Sequence, residues 1–103
     1  MVVQLLYFPD CPNVASARRA LQEALAKLAD PPPVTEVDVT SPTAPANLRS
    51  WGSPTILVDG VDVAGEQPTE SCCRLYGDGE RRGAPSVALI EAALARARAT
   101  SNR

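Results

Sequence analysis

Histidine is absent from the 103-residue chain, and with it go the commonest general base and the commonest metal ligand. Ser-His-Asp hydrolysis, Cys-His proteolysis and His-ligated zinc or haem are therefore excluded. Long apolar runs are missing too, none approaching the ~20 residues that a membrane-spanning helix needs, so no membrane partner is expected. Neither sign of charge dominates: ten basic and twelve acidic residues mix to a net charge of −2. The Lys/Arg clusters do not exceed the doublets Arg18-Arg19 and Arg81-Arg82, and nucleic acid is not an expected partner. Met1 to Phe8 has no basic n-region and no small-residue cleavage site, so it reads as a strand rather than a targeting segment, and a cytoplasmic location is expected. What is present, 45% hydrophobic and 21% charged residues, is the composition of one soluble globular domain. Three cysteines, an odd number, do not describe a structural disulfide framework. Cysteine and carboxylate chemistry remain.

Val2 to Phe8 is almost continuously apolar and rich in β-formers, the pattern of a central strand covered on both faces. It stops at Pro9-Asp10-Cys11-Pro12. Val14, Arg18, Leu21, Leu25 and Leu28 then recur at helical spacing with Ala17, Ala20 and Ala24 between them, predicting an amphipathic helix of about five turns. Pro12 suits its first position and Cys11 the cap before it, while Asp30-Pro31-Pro32-Pro33 cannot continue it. Val34 to Val39 alternates as a second strand, parallel to the first across a right-handed crossover. Ser41 to Gly52 predicts a loop holding a short helix that starts near Pro45. Thr55 to Val58, Asp59-Gly60 and Val61 to Ala64 form a hairpin signal, because Asp-Gly supplies the positive φ values of a two-residue turn. Gly65 to Gly83 is a polar, Gly-containing loop interrupted by Cys72-Cys73-Arg74-Leu75-Tyr76. Pro85-Ser86 opens a last helix with Ser86 as cap and Val87, Ile90, Leu94 and Ala97 on one face. A single domain over residues 1–98 with a frayed tail over 99–103 follows.

The order βαβ, short helix, ββα, with Cys11-Pro12 at the mouth of the first helix and Ser53-Pro54-Thr55 opening the third strand, resembles the thioredoxin-like superfamily over the whole chain. The segments Tyr7 to Asn13, Gly52 to Gly60 and Ser71 to Tyr76 are similar to a group of small bacterial thioredoxin-like proteins often labelled alkylmercury lyase-like. The resemblance implies an α/β fold with a four-stranded mixed sheet and helices packed on it. It further implies a cis Ser53-Pro54 bond lying against the active-site cysteine. Pro12 and Pro54 are then mainly geometric, starting the helix and holding the third strand's entrance beside the sulfur; with Trp51 and Ser53 they are the expected substrate-side residues, and no cofactor is expected. In the resemblance the backbone of Ser53 pairs with an extended substrate segment. The chain departs from the dithiol members at one place: Val14 stands where they carry a second cysteine.

A cysteine at a helix cap faces unpaired backbone N–H groups, which favours the thiolate, while Asp10 opposes it. Serine in its place would be a better cap. Cys72 and Cys73 follow a strand that returns to the same end of the sheet, so one of them is expected to meet Cys11. A bridge between the two is disfavoured, since adjacent α-carbons are ~3.8 Å apart, below the usual ~4.4–6.8 Å of a disulfide. Asp62 and Tyr76 are candidate proton donors whose ordinary reading is solvated or structural. Trp51 either roofs the site or packs in the core. Three functions fit. In the first, Cys11 forms a mixed disulfide with a small or protein substrate, resolved by Cys72, Cys73 or a small thiol. In the second, Cys11, Cys72 and Cys73 gather on a soft metal such as mercury, copper or an arsenical, with Asp10 or Asp62 as the acid of a lyase version. In the third, the chain is a non-catalytic adaptor.

Overall fold

The computed structural model describes residues 1–49, 51–65 and 85–101. They form a small α/β structure: β1 (Val3–Tyr7), α1 (Val14–Ala26), β2 (Val34–Asp38), a 3-10 turn (Ala46–Leu48), β3 (Thr55–Val58), β4 (Val61–Asp62) and α2 (Val87–Ser101). The sheet is mixed, in the order β2-β1-β3-β4. β1 runs parallel to β2 and antiparallel to β3, and β3 pairs antiparallel with β4. No helix among the described residues is long and apolar enough to cross a membrane.

β1 lies inside the sheet with buried residues on both faces, which explains why it is apolar but for the half-buried Gln4. Its odd residues Val3 and Leu5, with Ile56 and Val58 of β3, pack against Val14, Ala17, Leu21, Ala24 and Leu25 of α1 and Ile90, Ala93 and Leu94 of α2. The even residue Leu6, with Leu57, packs on the other face against Val39, Leu48 and Trp51. One sheet with two apolar faces thus builds two cores, the larger under the helices. Arg49 ties down the covering loop of the smaller one, its guanidinium donating to the carbonyls of Ala44 and Pro42.

The β3–β4 hairpin turns through Asp59 at φ 52° and Gly60 at φ 82°, both in the left-handed region that a type I′ turn requires. The Asp59 carboxylate accepts the Val2 N–H at 2.7 Å, and the Asp59 N–H donates to the Val2 carbonyl at 2.7 Å. Ser86 caps α2 as expected, its hydroxyl accepting the Leu89 N–H at 3.1 Å. Ser86→Ala should therefore cost about 1 kcal/mol, read as a lower midpoint in urea with an unchanged slope. α2 runs to Ser101.

Arg18 lies within the apolar spacing of α1 yet is half-exposed, and it forks onto Glu36 of β2. Its Nε and a terminal nitrogen donate to the two carboxylate oxygens at 2.8 and 2.7 Å. The pair fastens the helix to the edge strand beside it. This hydrogen bonding, more than the charge itself, holds the Glu36 carboxyl below the usual carboxylate range, against a smaller opposing effect of burial. A carboxyl whose pKa is lowered on folding adds stability above its unfolded pKa and loses it as pH falls through the folded one. Glu36 should accordingly titrate at lower pH than an unpaired glutamate, and Arg18→Met should return it to the ordinary range, as read by carboxyl-carbon NMR.

Candidate functional site

Cys11 sits between β1 and α1, and its main chain is used twice. Its N–H donates to the Phe8 carbonyl at 3.0 Å, closing the turn Phe8-Pro9-Asp10-Cys11, and its carbonyl accepts the Val14 N–H at 3.4 Å, opening the turn Cys11-Pro12-Asn13-Val14. Both turns carry proline at their second position, where a fixed φ near −65° favours closure. Asn13, with φ −94° and ψ −1°, has the third-position geometry of a type I turn.

This arrangement corrects the expected start of α1. The helix opens at Val14 with Asn13 as its N-cap, not at Pro12 with Cys11 as cap, and the first helical bond runs from the Ala17 N–H to the Asn13 carbonyl at 3.1 Å. The helix is correspondingly shorter, 13 residues rather than five turns. Pro-Asn satisfies a turn before it satisfies a helix. Cys11 is therefore not a capping side chain, and its environment is the edge of the larger core. The residue is 8% exposed and clusters with Val14, Ile56 and Val63, while Pro9, Asp10 and Pro12 around it are exposed.

The Ser53-Pro54 segment reaches this turn through Phe8. The Phe8 N–H donates to the Ser53 hydroxyl oxygen at 3.0 Å, and the Phe8 carbonyl takes the Cys11 N–H. Ser53 is 0% exposed and Pro54 is also fully buried. The Ser53–Pro54 peptide bond is cis. The Thr55 hydroxyl closes the entry to β3 by donating to the Gly52 carbonyl at 2.7 Å. The Cys-Pro and Ser-Pro-Thr motifs, 42 positions apart from Cys11 to Ser53, are thus joined by two consecutive hydrogen bonds.

Trp51 is not brought to the thiol: it packs with Leu6, Leu48 and Leu57 in the cluster on the other face of the sheet. Its place follows from β3, where the chain approaches the sheet from the side that Leu48 covers. Asp62 is not solvated but 2% exposed. It stands opposite Leu57 in the ladder, so its side chain belongs to the same face as Trp51, away from Cys11. Among the described residues no group of three or more cysteine and carboxylate side chains gathers as a metal cluster, and Cys11 is a free thiol. Cys72, Cys73, Tyr76 and the Arg81-Arg82 doublet lie outside the described residues. The segment leading to them leaves from Val63 and Ala64, which pack in the same cluster as Cys11.

Sequence reasoning gave Ser53 a role through its backbone and missed its side chain, and it gave Phe8 no role beyond the strand. The usable signal was a small hydroxyl residue at the entry to β3, whose side-chain oxygen can accept a main-chain N–H from the neighbouring strand. A cleft of about 230 Å³ between the β3–β4 hairpin and α2, walled by Val58, Val61, Ala93 and Ala97, does not include Cys11. No family model, curated protein or solved structure matches the chain.

Proposed function

We propose that this chain is a thiol–disulfide exchange protein of thioredoxin-like type whose nucleophile is Cys11. The observation that carries the reading is the double use of the Cys11 main chain. Two proline-led turns occupy its N–H and its carbonyl, so only the thiol is left for chemistry, and it is presented at a fixed place at the rim of the core. Support also comes from the sheet order β2-β1-β3-β4 and from the Ser53 hydroxyl, which joins the two motifs behind the resemblance.

In the reaction, the Cys11 thiolate attacks one sulfur of a substrate disulfide. A Cys11–substrate S–S bond forms as the substrate's own S–S bond breaks, and the departing sulfur leaves as a thiolate that takes a proton from water. A second thiol, Cys72, Cys73 or a small external one, then attacks the mixed disulfide, releases the other half of the substrate as a thiol and ends in a disulfide itself. Two electrons pass from two thiols to the substrate. With Val14 buried at the fourth position of the motif, the resolving thiol comes from outside that turn.

The test is trapping. The reduced protein is mixed with a small aromatic disulfide, quenched with acid and mapped by peptide mass spectrometry. The first adduct is expected on Cys11, followed by a Cys11–Cys72 or Cys11–Cys73 peptide pair, or by persistence of the adduct until an external thiol is added. Adducts confined to Cys72 and Cys73 would overturn the assignment. Three thiols slow to exchange but titrating together with one equivalent of Hg(II) would replace it with soft-metal binding.

A further inference from the structure

We propose, resting on the reading of Cys11 as the reactive thiol, that Ser53 is a positioning residue whose hydroxyl sets how far that thiol stands out of the core. The argument begins with the β1–β3 ladder. Its register, Val3 with Val58 through Leu6 with Thr55, places Phe8 in line with Ser53. The Phe8 N–H is the next donor of the ladder, and the Ser53 side chain accepts it. At the opposite end the Asp59 side chain takes the Val2 N–H in the same way. Each end of the ladder is therefore closed by an oxygen from a β3-side residue, but only the Ser53 end continues into chemistry.

That continuation is short and stiff. The Phe8 carbonyl accepts the Cys11 N–H, and between them Pro9 has a fixed φ. Pro12 follows directly. The place of the Cys11 sulfur is consequently an extension of the Phe8 main chain, with few torsions to absorb a displacement. While Ser53 holds Phe8 against β3, the thiol stays recessed in the cluster that includes Val14 and Ile56. Without the hydroxyl, the part-buried Phe8 N–H loses its acceptor, and the cheapest response is local opening of the turn to water. Opening exposes the sulfur.

The experiment compares Ser53→Ala, Ser53→Thr and Asp59→Gly with the unaltered protein. Asp59→Gly removes the other ladder-end oxygen while tolerating the positive φ of its turn. Alkylation of Cys11 by iodoacetamide is followed by peptide mass spectrometry at one pH, in urea concentrations below the unfolding transition. Ser53→Ala should alkylate roughly tenfold faster, the factor expected for one lost hydrogen bond, with no dependence on urea. Ser53→Thr, which keeps the acceptor oxygen, should return the rate to within about twofold. Asp59→Gly should lower the melting temperature and leave the Cys11 rate at low urea unchanged. The proposal falls if Ser53→Ala reacts at the unaltered rate, if its acceleration carries the urea slope of global unfolding, or if Asp59→Gly accelerates Cys11 equally. Should Ser53→Ala not fold, amide hydrogen exchange in the unaltered protein decides: the Phe8 and Cys11 amides should exchange through one common opening, and a freely exchanging Phe8 amide overturns the proposal. Exchange with the aromatic disulfide is scored separately, so a Cys11 that never forms a mixed disulfide defeats the redox reading while the alkylation comparison still reports on Ser53.

Discussion

Cys11→Ala should abolish mixed-disulfide formation at the turn before α1 and leave the protein folded. Loss of activity is expected to be complete rather than partial, because Val14 occupies the only other position of the motif and the main chain of Cys11 is already engaged. The fold should tolerate the change. Alanine keeps both turn hydrogen bonds and both flanking prolines, and it removes one polarizable atom from the edge of a core, at a cost of about 1 kcal/mol. Serine, which would look gentler if Cys11 capped the helix, is the poorer substitution here. Asn13 is the cap, so a serine hydroxyl at position 11 gains no capping bond and sits at the edge of the apolar cluster that includes Val14 and Ile56, where burial of a hydroxyl without a partner costs roughly 1–3 kcal/mol. Adduct mass after disulfide challenge, together with thermal melting of both variants, checks the two halves of the expectation. An alanine variant that still exchanges disulfides at the unaltered rate would transfer the nucleophile's role to Cys72 or Cys73.

Apolar pattern carried most of the architecture. The nearly continuous apolar run of β1 announced a strand covered on both faces, the Asp59-Gly60 turn announced its hairpin, and Ser86 announced a helix start; each depends on a local preference strong enough to survive packing. The boundaries were less legible where two local preferences compete. At Pro12-Asn13 a first helical turn and a type I turn share nearly the same φ and ψ, and only the hydrogen bond from Val14 back to Cys11 separates them. The hairpin signal runs to Ala64, whereas β4 ends at Asp62: Val63 still donates its N–H to the Ile56 carbonyl at 3.1 Å, and the chain then turns, the Gly65 N–H donating back to the Asp62 carbonyl at 2.8 Å. The site was legible as two motifs but not as one object. Their union passes through Phe8 and a side-chain hydroxyl, and that contact depends on the β1–β3 register, which spans about half the chain and has no local signature. Trp51 went to the opposite face for the same reason: which side of a sheet a loop covers is a property of the whole chain.

The largest effect on stability is expected at Leu5. It is 0% exposed at the middle of β1, opposite Ile56 on one side and Glu36 on the other, and it belongs to the cluster that receives Leu21 of α1 and Ile90 of α2. Backbone pairing on both edges of the strand prevents it from moving to fill a gap, and the two helices pack in one cluster, bridged at the surface by Lys27, the C-cap of α1, and Glu91 of α2 at 2.9 Å. A cavity there has little means of collapse. Leu5→Ala should therefore fall in the upper part of the usual range for such truncations, about 3–5 kcal/mol. Domains of this size are stable by only about 5–15 kcal/mol, so the loss is a large share of the total. Val2, 57% exposed one register step from the end of the same strand, should change by less than about 0.5 kcal/mol when cut to alanine. Urea unfolding with a common slope measures both, and a Leu5→Ala cost below about 1 kcal/mol would contradict a core closed around β1. The same variant separates two routes to the thiol. Loss of Leu5 should expose Cys11 only through global unfolding, with alkylation climbing steeply as urea is added, whereas loss of the Ser53 hydroxyl should expose it locally, at a rate that urea does not move.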